Sequence, residues 1–95
     1  ARQDEALIRA VVRGHRWQDM LDSGQVASVQ DLAAKEKMTT SYMARHLRLT
    51  LLAPDIVEAI LAGRQPETMT LTSLWKVFPL EWAYQREQWG FPAVN

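Results

Sequence analysis

The stretch SVQDLAAKEKMTTSYMARHLRLT, residues 28–50, decides how the middle of this chain folds. Ser28 followed three residues later by Asp31 is a capping-box-like start for a short helix over 29–36. Residues 37–39 then break the helical spacing of the apolar residues, which resumes immediately afterwards. The pattern predicts two short helices that follow each other closely.

The second of these helices begins at a pair of threonines. Thr39 or Thr40 can accept hydrogen bonds from its first amides, and the helix is expected to run to about Thr50. Two helices joined by about three residues have the spacing of a helix-turn-helix, here over 29–50. Small Ala33 suits the close approach of the two helices. The apolar residues expected beneath both helices are Leu32, Met38, Met43 and Leu47.

The outward face of the second helix carries hydroxyls and basic groups where a surface helix usually carries Glu and Lys. Its members are Thr39, Thr40, Ser41, Ala44, Arg45 and Arg48. Short hydroxyls let a helix end enter a major groove, and arginines reach guanine or the backbone. This composition favours DNA as the partner, with Arg45 and Arg48 as the strongest contacts; the alternative is a solvated face that contacts nothing.

Four neighbouring residues have two interpretations each. Tyr42 could bond a phosphate or cover the junction of the helices. Lys35 and Lys37 could contact phosphates, although a solvated position is favoured for both. His46 is expected to be a partly buried spacer rather than a ligand or a base, because no carboxylate or nucleophile has a matching spacing.

The rest of the chain also has helical spacing and lacks the alternation of a strand. A first helix is predicted over about 4–21, with Gly14 at a close helix crossing. Further helices are predicted over 54–63, 70–77 and 80–89, which begin at prolines or at a capping threonine. The sequence therefore predicts an all-α fold of five to six short helices.

Composition limits the classes of function. The 95 residues suit a single compact domain over 1–95; 47% are hydrophobic and 23% charged, and no cysteine is present for a disulfide or a thiolate metal site. Residues 28–53 carry four basic and two acidic side chains, the only positive excess in a chain of net charge zero. Without a long apolar run or a signal-like start, a cytoplasmic protein is expected. Because the first residue is Ala1, we expect a piece of a longer protein.

Two other groups of residues favour structural interpretations. Arginines 9, 13 and 16 share one helical face, where pairing with nearby carboxylates is favoured over a second contact with a DNA backbone. The aromatic residues of the C-terminal half are interpreted as core rather than as a ligand cage. They are Trp75, Phe78, Trp82, Trp89 and Phe91.

The segment SYMARHLRL, residues 41–49, resembles the helix-turn-helix of the ParB and KorB type, in which a Ser-Tyr-Val start leads to Leu-Arg-Leu and soon to a proline. The wider stretch, from VASVQDLAAKEKM through LAPDIVEAILAGRQP to PLEWAYQREQWGF, is similar to a C-terminal domain of some bacterial large serine recombinases. The resemblance covers about residues 7–91. It differs at Lys37, where the turn usually has glycine and a positive φ would be strained, and at His46, where an apolar residue is usual.

The resemblance implies a DNA-binding domain whose contact residues are Thr39, Thr40, Ser41, Arg45 and Arg48. The catalytic serine domain of the recombinases and the arginine-rich nucleotide motif of ParB proteins are missing from these residues, so we expect a chain that neither cuts DNA nor binds CTP.

Taken together, the sequence predicts a non-enzymatic, DNA-binding helix-turn-helix module, the recognition part of a site-specific serine recombinase. Its partner would be double-stranded DNA in the bacterial nucleoid, with no cofactor, metal or membrane. Weak binding by so few basic groups would require a tethered catalytic domain or a homodimer. The alternatives are a protein-interaction or oligomerisation domain and a transcriptional regulator.

Overall fold

The computed structural model describes residues 2–93, which form helices and no strand. The α-helices are α1 Glu5–Asp22, α2 Val29–Glu36, α3 Thr40–Arg48, α4 Pro54–Leu61, α5 Leu71–Leu74 and α6 Trp82–Trp89, with a 3₁₀ helix at Leu49–Leu51. The prediction of an all-α fold of five to six helices is confirmed. None of these helices combines the length and the apolar character needed to cross a membrane.

The described chain forms two compact units. The helix-turn-helix unit comprises residues 10–50, and the second unit comprises residues 2–9 with 51–93. Helix α1 contributes its first turn to the second unit and its remaining turns to the helix-turn-helix unit. The single domain over 1–95 therefore stays a prediction.

Apolar side chains from α1, α2 and α3 and from the segment between α1 and α2 form the core of the helix-turn-helix unit. Its buried members are Trp17, Met20, Val26, Leu32, Ala33 and Met43. Leu47, Val29 and Leu21 pack against this cluster, and α2 and α3 lie directly against each other. The expected seam exists, but Met38 is 45% exposed and its prediction as a core residue is wrong. Met38 lies within the turn, and its backbone N–H, not its side chain, caps α2 by donating to the Ala33 carbonyl.

The start of each helix in the pair is capped as the sequence predicts. The Ser28 hydroxyl accepts from the amide of Asp31 at 3.1 Å, and the Thr39 hydroxyl accepts from the amide of Tyr42 at 3.1 Å. Between them, Lys37 adopts the left-handed conformation with φ 58° and ψ 43°. Its backbone therefore takes the conformation for which glycine is the usual choice, as the resemblance implied.

Gly14 marks the expected close crossing within this unit. A Cβ atom at this position would overlap the carbonyl oxygen of His46 and lie 3.1 Å from its carbonyl carbon. The backbone of α1 thus approaches the backbone of α3 with no room for a side chain. This contact sets how closely α3 packs against α1.

The second unit combines an apolar core, which includes Ile56, Ile60 and Leu74, with polar contacts between residues far apart in the sequence. The amide side chain of Gln85, fully buried, accepts from the Ala53 N–H at 2.8 Å and donates to the carbonyls of Leu51 and Pro79 at 3.0 and 2.8 Å. Because these backbone groups lie near the start of α4 and before α6, Gln85 satisfies donors and acceptors that no helix can pair.

The same unit contains an ion pair and a paired N-terminal segment. Arg86 donates to both carboxylate oxygens of Asp55, with a shortest distance of 2.9 Å. The Arg2 amide donates to the carbonyl of Gly63 at 2.8 Å, and a Cβ on Gly63 would lie 2.7 Å from the Arg2 carbonyl carbon. Glycine is required at Gly63 both for this approach and for its φ of 74°.

The last two helices are shorter than predicted. α5 begins at the Thr70 cap, as expected, but ends at Leu74 instead of 77. Pro79 disfavours helical backbone at the preceding residue, so the chain leaves the helix before reaching it, and α6 starts only at Trp82. Phe78 and Trp89 are buried with their ring centroids 6.0 Å apart, which agrees with the core interpretation. Trp82 is 48% exposed, so for this residue the core interpretation is wrong.

Candidate nucleic-acid interface

The outward face of α3 is built from the residues predicted for it, with one difference in exposure. Thr40, Ser41, Ala44 and Arg45 are exposed, whereas Arg48 is half-buried. Helix α3 contains no carboxylate, and its last turn is basic. Arg45 is therefore the most accessible cation on this face, and the short side chains lie one turn closer to the helix N-terminus.

Thr39 is exposed and is already used in the fold. Its hydroxyl oxygen accepts from the Tyr42 amide, which leaves the hydroxyl proton as its remaining donor. Thr40 and Ser41 have no such capping role. Their hydroxyls lie at the N-terminal end of α3, where the positive end of the helix dipole favours an anion such as a phosphate.

Tyr42 borders this face and is fixed by contacts from below. Its ring lies 4.4 Å from the His46 ring and 6.3 Å from the Trp17 ring between centroids. Its hydroxyl accepts from the Nη1 of Arg13 at 3.3 Å. The side chain thus covers the junction of α1 and α3, which was one of its two interpretations, and its hydroxyl remains at the half-buried edge.

His46 lies in the core of the unit. It is 3% exposed, its Nδ1 is 2.9 Å from the Tyr42 carbonyl oxygen, and its ring meets the Trp17 ring edge-on at 5.2 Å. Burial lowers the pKa of His46 below its usual range, and the positive charge of Arg13 adds to the lowering against the hydrogen bond to the Tyr42 carbonyl. The residue is therefore buried more completely than the partly buried spacer that was expected, and its lowered pKa favours the neutral imidazole.

Lys35 lies in the last turn of α2 and Lys37 directly follows that helix, and both side chains are exposed. Lys35 lines a shallow polar cleft together with Arg16, Asp19 and Glu36. Glu36 also accepts from the indole N–H of Trp17 at 3.3 Å, which ties α2 to α1. The cleft has both signs of charge, so it is a weaker anion site than the face of α3.

Arg13 is the residue that sequence reasoning missed. Its face of α1 was expected to pair with carboxylates nearby in the sequence, yet Arg13 is half-buried and bonds to Tyr42, 29 residues away. Within residues 2–93, no carboxylate forms a salt bridge with Arg13. No local spacing rule could have identified this pair, because it depends on how α1 crosses α3.

No group of His, Cys, Asp and Glu side chains within the described residues has the arrangement of a metal site. Comparison of the chain with protein-family models, with curated proteins and with solved structures gave no match. The features that bear on function are therefore the geometry of the helix-turn-helix unit and the motif resemblance.

Proposed function

We propose that this chain is a DNA-binding module whose helix α3 enters the major groove. The observation that supports this most is the outward face of α3, where exposed hydroxyls adjoin an exposed Arg45 and no carboxylate is present. Such a face offers hydrogen-bond donors to bases and phosphates without repelling the DNA backbone. Its helix is fixed by a buried seam, so little order must be gained on binding.

The resemblance of residues 41–49 and of the wider stretch to large serine recombinases supports a narrower proposal. The module would be the DNA-recognition part of a site-specific recombinase in the bacterial cytoplasm, with catalysis supplied by another part of a longer protein. A tethered second module or a homodimer would add effective concentration to a weak individual contact.

The direct test is fluorescence anisotropy with a labelled mixed-sequence duplex in low salt. We expect wild-type protein to bind and Arg45→Ala to bind at least several-fold more weakly, with a salt slope reduced by about 0.9 if one phosphate contact is lost. Arg64→Ala is the matched control, because Arg64 is exposed in the second unit and its removal changes the net charge equally.

Two outcomes would contradict the proposal. One is wild-type protein that is helical by circular dichroism but does not bind at any concentration. The other is an equal loss of affinity in Arg45→Ala and Arg64→Ala, which would indicate non-specific attraction to charge rather than an interface on α3.

One observation favours a second candidate, self-association through the second unit. Four large apolar side chains close together in the sequence are exposed: Val77 at 89%, Leu80 at 62%, Trp82 at 48% and Tyr84 at 59%. Exposed apolar patches of this kind mark protein interfaces. Sedimentation equilibrium would show a mass above the monomer that Val77→Ser/Leu80→Ser reduces; a monomer at every concentration would rule this candidate out.

A further inference from the structure

At the edge of the α3 face, a side chain of α3 is hydrogen-bonded to a side chain of α1, which lies outside the two helices of the motif. Arg13 in α1 donates to the hydroxyl of Tyr42 in α3, and both side chains are half-buried. We propose that Arg13 and Tyr42 together hold one backbone phosphate of the DNA, next to the groove that α3 occupies. This inference rests on the proposed function and adds a contact from outside the helix-turn-helix helices.

The direction of the hydrogen bond leaves both groups able to donate to a ligand. Because the tyrosine oxygen accepts from Arg13, its own O–H proton is not used in this bond and can point away from it. Arg13 has five N–H donors and uses one of them on Tyr42. In the part of the chain that the structure describes, no carboxylate neutralises the guanidinium.

The position of the pair suits a phosphate beside the groove. Tyr42 and Arg45 are three residues apart on α3, so their side chains are neighbours on the helix surface. Arg45 is fully on the outward face, and Tyr42 lies where this face meets α1. A recognition helix seated in a groove has the sugar–phosphate backbone along such an edge.

The hydroxyl of Tyr42 is held in place before any ligand arrives. The rings of Trp17 and His46 pack against the tyrosine ring, with centroids 6.3 and 4.4 Å away. The amide of Tyr42 is fixed by the Thr39 cap at the other end of the residue. A donor that is already ordered loses little entropy on binding, which favours a specific contact over a transient one.

A phosphodiester matches the chemistry of the pair. Its two non-bridging oxygens share one negative charge, so one can accept from the tyrosine O–H while the other accepts a charge-assisted bond from the guanidinium. Within residues 2–93, no carboxylate forms a salt bridge that would compete with the phosphate for Arg13. Packing alone would not require a hydroxyl at this position, because phenylalanine would fill the same space.

The test compares three variants in the anisotropy assay as salt is varied. We expect Tyr42→Phe to lower affinity roughly tenfold with an unchanged salt slope, because a hydrogen bond but no charge is lost. Arg13→Gln should lower affinity as much and reduce the slope by about 0.9. Arg13→Lys should have the salt slope of wild type but a lower affinity than wild type, because an ammonium lacks the planar fork of donors.

A matched control and a coupling measurement sharpen the result. Arg9→Gln removes the same charge from an exposed position one turn earlier on α1 and should change affinity and slope much less. In the double variant Arg13→Gln/Tyr42→Phe, the combined loss should be smaller than the product of the single losses, because both groups contact one phosphate. Urea unfolding of each variant separates binding from stability.

The failure of this inference can be distinguished from the failure of the proposed function. If wild-type protein binds and Arg45→Ala binds weakly, but folded Tyr42→Phe and Arg13→Gln bind like wild type, Arg13 and Tyr42 have only a packing role. The same conclusion follows if the loss of affinity equals the unfolded fraction in the binding buffer, which is obtained from the free energy of unfolding measured in urea. If wild-type protein does not bind DNA at all, the proposed function and the phosphate contact are both wrong.

Discussion

The helix-turn-helix unit, residues 10–50, buries a seam of apolar side chains from three successive helices, whereas the second unit places a glutamine where an apolar residue would be expected. Trp17, Leu32 and Met43 form the centre of the first arrangement. In the second, Gln85 is fully buried and bonds to three backbone groups. Both units bury apolar side chains, and the second unit adds to its apolar core a buried glutamine that bonds to the backbone.

The difference follows from how each unit handles its unpaired backbone groups. In the helix-turn-helix unit, local side chains cap the helices: Ser28 and Thr39 lie three residues from the amides they accept from. In the second unit, α5 also has a local cap at Thr70, but helices of four to eight residues leave other backbone groups outside regular structure. Gln85 supplies partners for these groups from 32 to 34 residues away in the Leu51–Ala53 segment.

The largest expected effect is therefore at Gln85. Replacing it by leucine leaves the buried amide of Ala53 and the carbonyl of Pro79 without their bonds to this side chain, whereas the Leu51 carbonyl keeps its bond from the Trp82 indole N–H. Each unsatisfied buried group costs about 1–3 kcal/mol. We expect Gln85→Leu to lower the free energy of unfolding by roughly 3 kcal/mol or more, measured in urea by circular dichroism.

The control is Gln88→Leu, an exposed glutamine in the same helix, which should change the free energy of unfolding by no more than about 0.5 kcal/mol. If Gln85→Leu were as stable as Gln88→Leu, the stabilising role assigned to the hydrogen bonds of Gln85 would be wrong.

The next effect is at the helix crossing of the other unit. Gly14→Ala would place a methyl group against the backbone of His46, which cannot move aside like a flexible side chain. Overpacking costs about 1–3 kcal/mol, and alanine returns about 1 kcal/mol of helix propensity. We expect a net loss of up to about 2 kcal/mol, measured in urea.

His15→Ala is the control for Gly14→Ala, since His15 is the next residue on α1 and is exposed. This variant should be neutral or slightly stabilised. A stabilised Gly14→Ala would mean that α1 and α3 do not approach as closely as the structure places them.

The same contrast explains what the sequence could predict. Caps, breaks and apolar spacing are local, so the bounds of α2 were predicted to the residue, and Gly14 was recognised as a crossing point. The partner of Arg13 and the burial of Gln85 depend on which helices meet, and their partners are about 30 residues distant. The DNA-contacting role of Arg45 stays a prediction, because its exposure allows that role without requiring it.

A smaller effect distinguishes the pH response of the helix-turn-helix unit. Burial lowers the pKa of His46 below the ordinary 6.5. At acidic pH the unfolded chain therefore binds a proton at this residue more strongly than the folded chain does. The contribution of neutral His46 to stability is fully present above pH 6.5 and is lost as the pH falls from there through the folded pKa. The free energy of unfolding should be lower at about pH 5 than at about pH 7.5.

His46→Leu should reduce this slope between neutrality and about pH 5, while His15→Gln should leave it unchanged because His15 is exposed. The same slope in wild type and His46→Leu would show that other groups cause the pH dependence.

The second unit should respond at lower pH. Hydrogen bonds from Arg86 lower the pKa of Asp55 below 3.8, so its stabilising effect is present above 3.8 and is lost as the pH falls through the folded value. Asp55→Asn should cause a small loss of stability at neutral pH that salt diminishes, because the pair is partly exposed.

Glu58→Gln, one turn further along α4 and exposed, is the control for Asp55→Asn. Thermal unfolding at two salt concentrations would test both variants. Equal losses in the two would indicate a general effect of charge in place of the specific pair with Arg86.

The smallest effect has the opposite sign and lies at the turn between α2 and α3. Lys37 has a φ of 58°, where a side chain is strained and glycine is not. Lys37→Gly should therefore raise the free energy of unfolding by up to about 1 kcal/mol, measured in urea. Lys35→Gly, which removes the same charge from within α2, should instead lower it by about 1 kcal/mol. Because the two variants have equal charge, comparing their DNA affinities also tests whether either lysine contacts a phosphate. If Lys37→Gly is more stable but binds DNA more weakly than wild type, the Lys37 side chain contributes to DNA binding through its charge. If its affinity is unchanged, Lys37 does not contact the DNA.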